Sequence, residues 1–97
     1  MSKYADLTGT MEVSKREKLS DILLDLILDS GNADKLTAGL ARSLMDAARE
    51  EELAAENGLE KLLEASALLE PDKAAATLEA QGFPELANEL KKTAGKS

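Results

Sequence analysis

Residues 14–30, SKREKLSDILLDLILDS, decide the fold. Large aliphatics crowd the stretch: Leu19, Ile22, Leu23, Leu24, Leu26, Ile27 and Leu28. An acid recurs every fourth residue, at Glu17, Asp21, Asp25 and Asp29. Residues four apart are neighbours on a helix surface, so the acids stack into one ridge. A helix with so little other polar surface is expected to be buried on most sides, by its own chain or by a second copy.

The rest of the chain supports helices throughout. Among 97 residues there are 18 Leu and 16 Ala, but only three Val and Ile together. Leu, Ala, Glu and Lys favour helix, whereas β-branched residues favour strand. The length suits one domain. The expectation is therefore an all-α, irregular bundle of four to five helices. A long antiparallel hairpin (about 14–30 and 33–56) is followed by three short helices. Residues 1–13 read as an N-terminal tail, 14–93 as a single helical domain and 94–97 as a frayed C-terminus.

Punctuation sets the boundaries. Ser14-x-x-Glu17 has the form of a capping box opening helix one, and Gly31 that of its left-handed cap. Asn32 or Asp34 is expected to cap helix two. Its apolar line is Leu36, Leu40, Leu44 and Met45, then Ala48 and Leu53, and Gly39 marks a bend or a tight crossing. Asn57–Gly58 reads as a stop. Helix three then spans about Leu59 to Leu69. Pro71 opens a fourth helix running to Gln81, since proline suits a first turn, and Gly82 caps it. Phe83–Pro84 begins a fifth, Glu85 to about Thr93. In the lead-in, Tyr4, Leu7, Met11 and Val13 are placed to drape over a groove. The core is expected to centre on Leu19, Ile22, Leu23, Leu26, Ile27, Leu36, Leu40, Leu44, Leu62, Leu63, Leu78 and Leu86.

Composition also excludes functions. The chain has no His and no Cys, which removes the ordinary neutral-pH general base and the strongest nucleophile. Tyr4 and Phe83 are its only aromatics, so nothing encloses a pair of acids into a catalytic site. No catalytic residue, cofactor or metal ligand is assigned, and the expectation is that the protein is not an enzyme. A second acidic ladder, Glu52/Glu56/Glu60/Glu64, crosses the Asn57–Gly58 break, so half of it should point elsewhere. Ala94-Gly-Lys-Ser97 lacks the first glycine of a phosphate loop, because residue 90 is leucine. The longest uninterrupted runs of large aliphatics, Ile22–Leu24 and Leu26–Leu28, fall far short of the roughly 20 apolar residues a membrane span needs. The N-terminus has no secretory pattern, and with no disulfides the expected location is cytoplasmic.

The formal charge is −7, and between Asp46 and Leu90 twelve acids face only Arg49, Lys61 and Lys73. Such a surface repels phosphate backbones, so direct nucleic-acid binding is not expected. Leu24 and Leu28 lie on a second edge of helix one, away from the main stripe. Together with Glu17, Asp21, Asp25 and Asp29 they form the candidate interface. The reading is a small acidic interaction module: an adaptor, an inhibitor or a subunit of an assembly. Its partner is a protein with a basic surface or the chain itself, as a homodimer through helix one. The alternative is an acidic nucleic-acid mimic that blocks the basic groove of a nucleic-acid-binding protein.

Overall fold

The computed structural model describes residues 7–31 and 33–95. As expected, it is an all-α bundle. A helical turn at residues 7–9 precedes α1 (Val13–Ser30), a 3₁₀ turn (Ala33–Lys35), α2 (Ala38–Arg49), α3 (Glu56–Leu69), α4 (Pro71–Ala80) and α5 (Pro84–Gly95).

The start of α1 differs from expectation. Its N-cap is Glu12, in extended conformation and with no side-chain cap bond, so Ser14 lies inside the first turn and no capping box forms. The cause is upstream. The Met11 N–H donates to the Thr8 carbonyl, Thr8 is fully buried, and Leu7 and Met11 pack on the core. The core thus extends upstream of residue 14, while Val13 is exposed and Tyr4 lies outside the described residues. At the other end Gly31 is the left-handed cap, at φ 68°.

Helix two departs further from the expected 33–56. Asn32 lies outside the described residues. The cap is Thr37, whose hydroxyl accepts from the Leu40 N–H at 3.1 Å. The helix ends at Arg49, because Glu51 turns left-handed at φ 58°. The Glu51 N–H then donates to Ala48, and the Glu52 N–H to Ala47. These are the two reversed bonds of a Schellman ending. The Asn57–Gly58 pair is no stop. Both residues lie in the first turn of α3. Gly58 is buried there, and a Cβ on it would collide with the Glu52 carbonyl and lie 2.7 Å from the Leu53 Cα. The glycine lets the 50–55 turn fold back onto the helix that follows.

The remaining boundaries follow the punctuation. Pro71 opens α4. Gly82, at φ 92°, ends it, with the Phe83 N–H donating to Leu78 and the Gly82 N–H to Glu79. This is the same ending as that of α2, with glycine in the place that Glu51 holds there.

The expected hairpin of helices one and two is replaced by a different centre. α1 packs chiefly on α3, α2 packs on α3, and α4 pairs with α5. α3 touches all four other helices and buries Leu59, Leu62, Leu63, Ala65, Ser66 and Leu69. Leu19, Leu23, Leu26, Ile27, Leu62, Leu63, Leu78 and Leu86 are buried as expected. Ile22, Leu36, Leu40 and Leu44 are only partly buried at the edge of the core. α2 buries no residue completely and packs on α3 instead of on α1, so it lies on the bundle instead of building it.

Candidate functional site

α1 buries one side only. Leu19, Ser20, Leu23, Leu26 and Ile27 face inward, while Lys15, Glu17, Lys18, Asp21, Asp25, Leu28 and Asp29 are exposed. The expected burial on most sides is not observed, since the lysines and the acids together span a full outer face. Glu17, Asp21, Asp25 and Asp29 all lie on that face, and none has an ion-pair partner among the described residues.

The two leucines of the candidate interface separate. Leu24 is partly buried against the core. Leu28 is 70% exposed, with Asp25 one turn before it. The outer face of α1 is thus an acidic strip with one open leucine near its C-terminal end. That end has no basic residue in its last turn, so the negative pole of the helix dipole adds to the charge of Asp25 and Asp29.

The second ladder divides otherwise than expected. Glu56, Glu60 and Glu64 share α3, and only Glu52 lies off it. Glu64 is partly exposed and meets Lys61 at 3.8 Å.

Two surface pockets lie elsewhere. One, of about 180 Å³, is lined by Leu7, Met11, Lys15, Phe83, Glu85 and Leu86 among others. The other, of about 430 Å³, lies between α2 and α3 and includes Leu40, Ser43, Lys61, Glu64 and Leu68. Neither brings two carboxylates together. Among the described residues no three acids are placed to hold a metal, and no helix is long and apolar enough to cross a membrane.

One exposed feature was not legible in the sequence. Met45, placed on the apolar line of helix two, is 61% exposed. It lies one turn from both Arg42 and Arg49, which are also exposed. The available signal is that spacing: 42, 45 and 49 share one edge of a helix, and that edge carries two arginines with the exposed Asp46 between them.

The molecule belongs to the class of small all-α bundles with an acidic helix face. No known protein family, curated protein or solved structure matches the chain.

Proposed function

We propose that this chain is a non-enzymatic protein–protein interaction module that meets a basic protein surface through the outer face of α1. One observation carries the reading. Four carboxylates stand exposed on one helix, with no ion pair among the described residues, beside a leucine that is 70% exposed. Like charges one turn apart disfavour the helix by roughly 0.2–0.5 kcal/mol per pair. Basic side chains on a partner would offset that cost. Leu28 would supply the apolar contact, and the acids would govern association rate and selectivity more than affinity.

The test is capture from a lysate of the source cell, with wild-type bait and with Asp21→Lys and Leu28→Glu baits. Both positions are exposed, so melting should stay within about 0.5 kcal/mol of wild type. The expected result is a protein retained by wild type, released by moderate salt and lost from both variants. Variants that retain the same protein as strongly as wild type would refute the reading.

A further inference from the structure

The pocket of about 180 Å³ joins three segments: the lead-in with Leu7 and Met11, the first turn of α1 with Lys15, and the start of α5 with Phe83, Pro84 and Leu86. Leu7 and Met11 are only partly buried, so an apolar wall still meets solvent there. The size suits one ring, since a cavity of about 150 Å³ lined by aliphatic and aromatic side chains takes benzene. Phe83 offers a ring for edge-to-face or offset contact, and Met11 a thioether that favours aromatic neighbours. Lys15 and Glu85 line the same pocket, exposed and with no ion pair among the described residues. A cation and a carboxylate together suit a group that both accepts and donates, as a phenolic hydroxyl does.

We propose that the ring of Tyr4 occupies this pocket and ties the lead-in to the turn between α4 and α5. Phe83, the chain's only other aromatic, is itself a pocket wall. The place of Tyr4 in the chain favours it over a ring from outside. Residues 1–6 lie outside the described residues, which begin at Leu7 on the pocket wall. Tyr4 precedes Leu7 by three residues, and three residues span at most about 11 Å. A ring on so short a tether competes for the pocket at an effective concentration on the order of millimolar. A partner's ring would have to displace it. The contact also supplies what the local backbone lacks. α1 starts on Glu12 with no side-chain cap, so its first turn depends on whatever holds the lead-in in place.

The experiment is NMR spectroscopy of the full chain, joined to acrylamide quenching of tyrosine fluorescence and to melting curves. With one tyrosine and no tryptophan, the fluorescence and the tyrosine ring protons report on Tyr4 alone. Those protons should show nuclear Overhauser contacts to the Met11 methyl and the Phe83 ring, and the folded chain should be quenched less than the chain in urea. Tyr4→Ala should lower the melting temperature by at least about 4 °C, while Tyr4→Phe, which keeps the ring, should stay within about 2 °C of wild type. The loss from Tyr4→Ala and Met11→Ala together should fall short of the sum of the single losses, because the two share one contact. The proposal is overturned if the ring contacts are absent, if quenching equals that in urea, or if Tyr4→Ala melts as wild type does. It is equally overturned if the two losses simply add. Ring contacts that appear only as protein concentration rises would put a second copy's tyrosine in the pocket and overturn it as well.

Discussion

Glu51 and Gly58 carry roles that their residue types would not suggest. The ending of α2 needs a left-handed residue, and the chain supplies glutamate at φ 58°. A left-handed L-residue costs roughly 1–2 kcal/mol, whereas glycine there is relaxed but costs roughly 0.4–1 kcal/mol through the unfolded state. The balance favours glycine, so Glu51→Gly should raise stability by about 0.5–1 kcal/mol. Glu51→Gln keeps the strain and should leave the denaturant midpoint nearly unchanged, which separates backbone from charge. Gly58 behaves in the opposite way. Alanine is better than glycine in a helix by about 1 kcal/mol, yet a Cβ here strikes the Glu52 carbonyl and the Leu53 backbone. Backbone cannot yield as a flexible side chain does. Accommodating the Cβ means moving the 50–55 turn and giving up the bonds of Ala55 to Glu52 and of Glu52 to Ala47. Gly58→Ala should therefore lower stability by about 2 kcal/mol or more, measured as a shift in the urea midpoint at constant slope. An unchanged or raised midpoint would show that the turn does not pack on α3 as described.

These two residues explain how the elements were legible and where they were not. Gly31, Pro71, Gly82 and Phe83–Pro84 stand at element boundaries where their chemistry predicts them, so the limits of α1, α4 and α5 were readable to within one or two residues. The boundary between α2 and α3 was not. Its break is made by a glutamate, which carries no turn signature, while the glycine that looked like the break is required for close packing. Pairing was less legible still. Periodicity shows that a helix has an apolar face, but it does not say which helix covers that face, so α3 was not recognisable as the centre. On the candidate site, the four-residue spacing placed Glu17, Asp21, Asp25 and Asp29 correctly on one face. Leu24 was assigned outward, yet it leans on the core. Met45 stands on the expected apolar line of helix two, yet it is exposed, and its turn neighbours are arginines. One consequence belongs to α2 as an element. With no residue fully buried, it makes little of the core, and local opening free energy scales with such contacts. In native-state hydrogen exchange its amides should exchange well before those of α3, through an opening that leaves the rest of the bundle protected. Equal protection of α2 and α3 would mean that the bundle opens as one unit.

At the scale of the whole molecule, the excess of acid sets two tendencies against each other. The ion pairs Lys61–Glu64 and Lys91–Glu79, both at 3.8 Å, are open to solvent. Exposed pairs of this kind contribute about 0–1 kcal/mol, so salt has little attraction to screen within the fold. Repulsion is the larger effect, since the formal charge is −7 and the outer face of α1 holds four acids with no ion pair among the described residues. Screening shortens the reach of that repulsion to about 10 Å at 0.1 M salt and about 3 Å at 1 M. Sodium chloride added to the monomer should therefore raise the melting temperature. Contact between an acidic and a basic face must respond the other way, because the same screening removes the attraction that aligns them. A single titration read by two probes separates the effects: melting followed at low protein concentration should move up with salt, while retention of a basic partner on the wild-type bait moves down. If both were governed by apolar burial alone, salt would strengthen both, and the two curves would rise together.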